Sequence, residues 1–318
     1  MDPLNFTVAT LNSSFPEHPP HASSRLLPAV VLSLCFLFGV PGNIAVMVLK
    51  PNRQHMSSLS LSLMLNLAVS DLLCLLPLPL WIYILLNSWT LGLLACKLLM
   101  YVMTCSVYCS LLTVLTLSVQ RYLQVVHKKK LLKTGGRRRL LTLLWLAAMI
   151  LSIPALVVRQ TITDEISTKC LPLYSSQTQK VVVLLTESLL ELTSVSAVVL
   201  SYIQICRKVE QATFFNNPQT NRLITSIIVT FLVFWVPYLI INVIDLAASV
   251  FQSERLMKFC ADNWNNVGAL TFVNSCLNPL LYAFASRNIC GGCFKSEYKS
   301  SCWCKSSTTQ EVENMSSF

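Results

Sequence analysis

Six polar side chains lie inside long apolar stretches of the sequence, where a polar group is costly to bury and is usually functional. One is a carboxylate, one is a hydroxyl and four are amides: Asp71, Ser110, Asn43, Asn66, Asn274 and Asn278. If the fold brings them together, they form a polar chamber around the carboxylate of Asp71. Such a chamber could hold a sodium ion or a cluster of water molecules. A hydrogen-bond network without an ion is the alternative.

The composition predicts the elements that carry these side chains. Of the 318 residues, 54% are hydrophobic and only 12% are charged, whereas a soluble domain carries about 25% charged residues. Seven apolar stretches are long enough to cross the ~30 Å of bilayer hydrocarbon: residues 26–49, 58–86, 93–126, 139–158, 180–206, 221–249 and 263–285. The predicted fold class is therefore an all-α membrane protein, a seven-transmembrane helix bundle with a short amphipathic helix after the seventh span.

The distribution of charge predicts the orientation of the bundle, which spans residues 26–286. Residues 1–25 form a polar tail with two glycosylation sequons, at Asn5 and Asn12, and we expect this tail to be extracellular. With that orientation, 17 of the 24 Lys and Arg residues lie on the inner side, which agrees with the positive-inside rule. The sequence predicts a multi-pass protein of the plasma membrane with a cytoplasmic C-terminus.

The C-terminal segment, residues 287–318, is predicted to be cytoplasmic. Residues 287–299 could form the amphipathic helix along the inner membrane surface. The Ser- and Thr-rich tail suits phosphorylation. Four cysteines in this segment are candidate palmitoylation sites, with free cytosolic thiols as the alternative: Cys290, Cys293, Cys302 and Cys304.

Prolines in the later spans predict helices that can bend. Pro154, Pro237 and Pro279 each remove a backbone hydrogen bond and permit a kink. A kinked helix can pivot, which favours a switch over a static pore wall, although a passive packing kink is also compatible with each proline.

Short motifs, one set in each span, resemble those of the rhodopsin-like (class A) G-protein-coupled receptors over residues 26–290. The motifs are Gly42-Asn43, Leu67-Ala68-Val69-Ser70-Asp71, Cys96, Gln120-Arg121-Tyr122, Trp145, Phe234-Trp235-Val236-Pro237-Tyr238 and Asn278-Pro279-Leu280-Leu281-Tyr282. Each motif is weak by itself, but the ordered set is specific.

This resemblance implies roles for individual residues. Cys96 would form a disulfide with Cys170 in the second outer loop. The switch would comprise Arg121 at the G-protein cavity, Tyr202 and Tyr282 moving towards it on activation, Trp235 beneath the ligand, and Pro237 as the pivot. The sodium site would be lined by Asp71, Ser110, Asn274 and Asn278.

Two departures from the family pattern have consequences. Gln120 precedes Arg121 where the family usually has an acid, and residues 211–222 contain no acid. The sequence therefore predicts a weakly latched inactive state with measurable basal signalling. The fifth span has Ser194 near the position where the family usually has proline. The sequence therefore does not fix how this helix, and any pocket residue on it, aligns with the family pattern.

The residues near the outer end of the third span do not suit an amine ligand, because Tyr101, Thr104, Cys105 and Tyr108 offer no carboxylate to an ammonium group. The stretch 101–110 and residues 117–121 instead resemble chemoattractant receptors, and among them the leukotriene B4 receptors. A hydroxylated fatty acid of this kind has a carboxylate, hydroxyl groups and a long apolar chain.

The pocket predicted for such a ligand offers binding partners for its carboxylate and its hydroxyl groups. Arg159 could bind the carboxylate, although it could also be a simple interfacial anchor. Tyr108, Tyr238 and Asn242 could bind hydroxyls. Tyr238 and Asn242 are four residues apart and therefore share a helix face. Glu187 is the nearest candidate for the glutamate that this subfamily has on the fifth helix, and Glu191 shares its face. The complete predicted set is Tyr101, Tyr108, Arg159, Glu187, Tyr238 and Asn242. Trp264 replaces an arginine expected on the seventh helix.

The resemblance also implies partners. They are an extracellular lipid or peptide agonist, a heterotrimeric G protein of the inhibitory class, and arrestin after tail phosphorylation. A peptide chemoattractant receptor of the same fold is the nearest alternative, and a transporter or channel is a remote one, because we find no internal repeat. No motif predicts an enzyme, and we expect no cofactor apart from the sodium ion. The basic run 128–139 fits a cytosolic loop near anionic lipid better than nucleic acid.

Overall fold

The computed structural model describes residues 22–49, 57–127, 134–163, 168–211 and 218–286. The predicted glycosylation sites Asn5 and Asn12, the amphipathic segment and the tail cysteines lie outside these residues.

The described residues form nine helices and one β-hairpin. The helices are α1 (Ala22–Leu49), α2 (Ser58–Leu75), α3 (Leu78–Leu86), α4 (Gly92–Val126), α5 (Thr134–Leu151), α6 (Ile153–Val158), α7 (Gln177–Gln211), α8 (Pro218–Phe251) and α9 (Glu254–Ser286). Because α2 and α3 are two pieces of one span, as are α5 and α6, the helices build seven spans. The predicted seven-transmembrane fold is confirmed.

Prolines explain why two spans are divided. Pro77 lies between α2 and α3 and becomes the N-cap of α3, and Pro154 lies in the first turn of α6 after the break at Ser152. A proline is well tolerated at the start of a helix because the N–H that it lacks has no partner there. Pro237 and Pro279 instead lie inside continuous helices, α8 and α9.

Six spans of the described chain are long and apolar enough to cross a membrane by length and composition. The helix α9 does not meet the same criterion, because it begins with charged residues and carries five asparagines: Asn263, Asn265, Asn266, Asn274 and Asn278. It packs against α1, α2 and α8, so its polar residues can face the bundle. Several helices, α9 most of all, extend beyond the predicted apolar stretches.

A β-hairpin, which the sequence did not predict, covers the outer end of α4. Its strands are β1 (Arg159–Thr163) and β2 (Thr168–Pro172), which pair antiparallel with Thr161 opposite Cys170. The predicted disulfide joins Cys170 to Cys96 on α4, with a Cα–Cα distance of 5.8 Å. The hairpin therefore holds Arg159, its first residue, at the rim of the bundle.

The first and seventh spans approach each other closely at two glycines. A Cβ atom at Gly39 would lie 2.9 Å from Cys276 Cβ, and one at Gly42 would lie 2.9 Å from Pro279 Cβ. Both contacts are shorter than side-chain packing normally allows, so any larger residue would push α1 away from α9. This packing places Asn274 and Asn278 of α9 beside the bundle core.

Candidate functional site

The structure gathers most of the predicted polar chamber around Asp71. The carboxylate accepts hydrogen bonds from Ser110 Oγ on α4 at 2.9 Å and from Asn278 Nδ2 on α9 at 2.7 Å. Ser110 also bonds Ser70 Oγ at 2.8 Å. Asp71 and Asn278 are fully buried. Three spans thus meet at one carboxylate through side-chain hydrogen bonds.

Two further asparagines connect neighbouring spans. Asn66 donates to Thr113 Oγ1 on α4 at 2.8 Å and accepts from Trp145 Nε1 on α5 at 2.9 Å. Asn43 on α1 donates to the carbonyl oxygens of Gly39 and Ser275 at 3.0 and 3.1 Å. These bonds tie α1, α2, α4, α5 and α9 into one network around the chamber.

The chamber residues suit a small, hard cation. Three buried amide oxygens, the Oδ1 atoms of Asn43, Asn274 and Asn278, have no hydrogen-bond partner within the protein. Asp71 and Ser110 likewise offer oxygen, which is the donor type that hard cations prefer over nitrogen or sulfur. No group of three or more His, Cys, Asp or Glu side chains in the described chain is arranged as a metal site.

A second polar group lies towards the outer face, and we name it the outer cluster. It draws on β1, α4, α7, α8 and the segment after the hairpin, and its members are Arg159, Tyr108, Glu187, Glu191, Tyr238, Asn242 and Tyr174. Five of the six residues predicted to bind ligand are in it. Tyr101 is not, because its hydroxyl donates to the Met149 carbonyl on α5 at 3.2 Å.

Arg159 is the cation of the outer cluster. It interacts electrostatically with Glu187, Tyr174 and Tyr238, and burial lowers the pKa of its guanidinium from the ordinary value. Burial and the nearby Glu187 carboxylate raise the pKa of Tyr174 to about 12, so this phenol remains a hydrogen-bond donor at neutral pH. The cluster thus contains a guanidinium and a phenol that can donate hydrogen bonds.

Glu191 belongs to the outer cluster, although the sequence placed it only on the same helix face as Glu187 and did not include it among the ligand-binding residues. Asn242 Nδ2 donates to both carboxylate oxygens of Glu191, each at 2.9 Å. Glu191 is 2% exposed and Asn242 is fully buried. Glu187, the predicted residue, instead has Arg159 as its principal electrostatic partner. The spacing of the two glutamates was a usable signal, but it did not tell which of them meets α8.

The outer ends of α7 and α8 are joined above this cluster. Lys180 Nζ forms an ion pair with Asp245 Oδ1 at 3.2 Å, and Gln177 Nε2 donates to the Ser249 carbonyl at 2.5 Å. These contacts hold the two helices together at the rim while the cluster lies between them.

Aromatic rings lead inward from the outer cluster along α8. Trp235 packs against Phe231 with ring centroids 5.5 Å apart and against Tyr238 at 5.8 Å, and Tyr238 packs against Trp264 of α9 at 5.6 Å. Trp235 and Phe231 are buried. Phe231, Trp235, Tyr238 and Trp264 therefore form one continuous row of packed rings.

The inner end of the bundle holds the remaining switch residues. Arg121 Nη1 donates to Gln124 Oε1 of its own helix at 3.4 Å, and Tyr202 of α7 packs against the central core. The backbone of Tyr282 lies in α9, but its side chain is outside the described structure. Gln120 Nε2 donates to the hydroxyls of Ser57 and Ser60 on α2 at 3.0 and 2.8 Å. Basal signalling stays a prediction.

Comparisons with known proteins match this architecture. The sequence profile described as "7 transmembrane receptor (rhodopsin family)" matches residues 42–282. The chain is 32% identical to leukotriene B4 receptor 1 of Homo sapiens over 299 residues, which are 90% of this chain and 84% of that receptor. It is 30% identical to C-C chemokine receptor type 8 of Homo sapiens over 274 residues, 82% of this chain and 76% of the relative. It is 33% identical to G-protein coupled receptor E1 of Equine herpesvirus 2 over 285 residues, 82% and 71% of the two chains.

Proposed function

The chain belongs to the rhodopsin family of seven-transmembrane receptors, and we propose on that premise that its agonist is a hydroxylated fatty acid of the leukotriene B4 type. Membership in this family makes the chain a multi-pass receptor of the plasma membrane and not an enzyme. It implies an extracellular chemoattractant-like agonist and a heterotrimeric G protein as the inner partner.

The position of Arg159 carries the proposal. Arg159 begins β1 at the rim of the bundle, and its guanidinium interacts electrostatically with Glu187, Tyr174 and Tyr238. A ligand carboxylate can replace part of the interaction with Glu187, and a guanidinium–carboxylate pair gains strength where water is excluded. The aromatic rings of Tyr238, Trp235 and Trp264 then offer apolar surface to the hydrocarbon chain. Similarity to a leukotriene B4 receptor supports the same ligand class.

The mechanism is a shift between two populations of the bundle. Agonist contacts on Tyr238 bias the aromatic rings of α8, and α8 pivots at Pro237 so that its inner half moves away from Arg121. The inner cavity then admits the G protein, which we assign to the inhibitory class. Because agonist and G protein favour the same conformation, each tightens the binding of the other. Arrestin binds after phosphorylation of the C-terminal tail.

A sodium ion in the chamber belongs to the same proposal. Asp71, Ser110, Asn274 and Asn278 would hold it, and the ion would neutralise a carboxylate that is otherwise buried among spans. An ion that fits one arrangement of these spans better than the other shifts the population towards that arrangement.

A peptide chemoattractant is the second candidate, since three acidic side chains line the outer cluster or its rim: Glu187, Glu191 and Asp245. A basic peptide residue could bind there, and the chain is also similar to a chemokine receptor. The two candidates differ in the group that Arg159 binds, and this difference makes them separable.

The test is a cyclic-AMP inhibition assay in cells that express the receptor, with leukotriene B4 and chemokines as agonists. We expect leukotriene B4 to act, and Arg159→Ala to lower its potency about 10- to 100-fold because one charge-assisted hydrogen-bonded contact is lost. Arg255→Ala removes an exposed guanidinium at the outer start of α9 and serves as the matched control. Unchanged potency in Arg159→Ala at equal surface expression would remove the carboxylate anchor. A response to chemokines alone would favour the peptide candidate.

A further inference from the structure

The C-terminal end of the short helix α6 has backbone carbonyls that need partners from other segments. The last four carbonyl groups of a helix find no N–H partner within that helix, and α6 ends where Arg159 becomes its C-cap. The Val158 carbonyl accepts a hydrogen bond from the Leu173 N–H at 2.7 Å. The Leu156 carbonyl accepts one from Lys97 Nζ of α4 at 2.8 Å. The exit of α6 is thus held from two sides.

The placement of Lys97 is not that of a simple surface anchor. The helix α4 has two charged residues, Lys97 near its outer end and Arg121 near its inner end. A lysine that only anchored the helix at the membrane surface would direct its ammonium group to water. Lys97 is instead half-buried, and its ammonium donates to a backbone carbonyl of a neighbouring span. Because a hydrogen bond from an ammonium group is charge-assisted and therefore strong, it joins α4 to α6 at one defined point.

Two adjacent residues of α4 fix the chain on both sides of Arg159. Lys97 holds Leu156, which precedes Arg159 by three residues. Cys96 forms the disulfide with Cys170 of β2, the strand that pairs with β1, and β1 begins at Arg159. One side is therefore held by a covalent bond and the other by a single charge-assisted hydrogen bond.

Lys97 acts on Arg159 through the backbone and not through its charge. The groups that act electrostatically on this guanidinium in the described chain are Tyr174, Tyr238 and Glu187. A guanidinium forms its strong, two-bonded pair with a carboxylate only in a narrow geometry. Loss of the hydrogen bond from Lys97 would release the exit of α6, and the guanidinium would then be less well placed for such a pair.

We propose that Lys97 is a positioning residue for the agonist's carboxylate, because by holding the Leu156 carbonyl it sets where the Arg159 guanidinium lies. This inference rests on the proposed fatty-acid agonist and adds to it a residue that the ligand does not touch. A ligand with an uncharged head forms no ion pair with Arg159, so it gains nothing from the exact placement of the guanidinium. A purely structural role of Lys97 would instead weaken charged and uncharged ligands equally.

The experiment compares two ligands that differ only in the head group, leukotriene B4 and its primary amide, which is uncharged at the same position. Both are measured in the cyclic-AMP inhibition assay at matched surface expression, and the readout is the potency ratio of the acid to the amide. We expect a ratio of about 30 for the wild type, because the amide cannot form the charge-assisted pair. Lys97→Met keeps the length of the side chain but has no donor. It should lower the ratio about 10-fold, with the potency of the amide unchanged.

Further variants separate positioning from a general effect of charge. Lys97→Arg retains a cationic donor of similar reach and should restore the wild-type ratio. Lys258→Met removes the same charge from an exposed position near the outer start of α9, and it should keep the wild-type ratio. Addition of Lys97→Met to Arg159→Ala should cause no further loss of acid potency, because Lys97 acts through Arg159. If Lys97→Met does not reach the surface, Lys97→Gln decides, since its shorter side chain should also lower the ratio.

The outcomes separate this inference from the proposed function. A wild-type ratio that persists in Lys97→Met and Lys97→Gln would overturn the positioning role and leave the fatty-acid agonist in place. Equal losses for the acid and the amide would do the same, and so would additive losses in the double variant, because Lys97 would then bind the carboxylate itself. A wild-type receptor that responds to neither ligand, in cells where another inhibitory receptor responds, would overturn the proposed agonist and this inference with it.

Discussion

Replacing Asn66 by leucine should cost more stability than the loss of two ordinary hydrogen bonds. Asn66 joins three spans, because it donates to Thr113 at 2.8 Å and accepts from the Trp145 indole at 2.9 Å. Polar bonds between spans are worth about 0.6 kcal/mol on average. After the substitution, the Thr113 hydroxyl keeps its bond to the Cys109 carbonyl at 2.7 Å. The Trp145 N–H, in contrast, has no second hydrogen bond among those of the described residues.

The magnitude follows from that difference. Two bonds at about 0.6 kcal/mol each give about 1 kcal/mol, and a half-buried N–H without a partner adds about 1–3 kcal/mol. The total is about 2–4 kcal/mol. Trp145→Phe leaves the opposite defect, an Asn66 oxygen without its donor. The double variant removes both groups, so its loss should be smaller than the sum of the single losses by about 1 kcal/mol, which measures the coupling.

The assay is thermal unfolding of the purified receptor in detergent, for both single variants and the double variant. At about 2 °C per kcal/mol for a chain of this size, Asn66→Leu should lower the Tm by roughly 4–8 °C. Thr116→Val is the matched control, because the Thr116 hydroxyl donates to the Leu112 carbonyl of its own helix and to no other span in the described part of the chain. Strict additivity of the Asn66 and Trp145 variants would refute the reasoning, since the two side chains would then not share a bond.

Three further predictions concern the chamber, the packing of α1 and the hairpin. Asp71→Asn should abolish the change in agonist affinity that the wild type shows when sodium is replaced by choline, measured by radioligand competition; a wild type insensitive to sodium would contradict the ion. Gly39→Val should destabilise the receptor by about 1–3 kcal/mol, because its Cβ would lie 2.6 Å from Leu75 Cδ1 and 2.9 Å from Cys276 Cβ; an unchanged Tm would contradict that close approach. Cys170→Ser should reduce stability by about 2–4 kcal/mol and lower surface expression, and labelling of intact cells would show whether it does.

The spans could be predicted from the sequence because their signals are local, whereas the disulfide was implied by the resemblance to the receptor family. A stretch of twenty or more apolar residues reports a span without knowledge of its neighbours, and the helix α4 indeed covers the predicted stretch almost residue for residue. Helix ends were less accurate, since α9 begins at Glu254, where charged residues continue the helix into water. The hairpin was missed because its two strands have only five residues each.

The outer cluster could be predicted only in part, because its contacts depend on the rotation of α7 about its axis. The spacing of Glu187 and Glu191 shows that they share a face, but not which of them meets Asn242. Tyr101 shows the same limit on α4. Its hydroxyl turns to the Met149 carbonyl, whereas Tyr108, seven residues later, is buried in the central core. A rotation by less than one residue position separates these outcomes, and sequence periodicity does not resolve it.

The contacts of α8 indicate which part of this helix can move. Its outer half is tied to α7 by directional polar bonds through Asn242, Asp245 and the Ser249 carbonyl. Its inner half, on the other side of Pro237, packs against the apolar core around Phe231. Hydrogen bonds and ion pairs are lost abruptly when geometry changes, whereas apolar contacts are non-directional. A pivot at Pro237 therefore costs least when the outer half remains with α7 and the inner half swings, as the proposed mechanism requires.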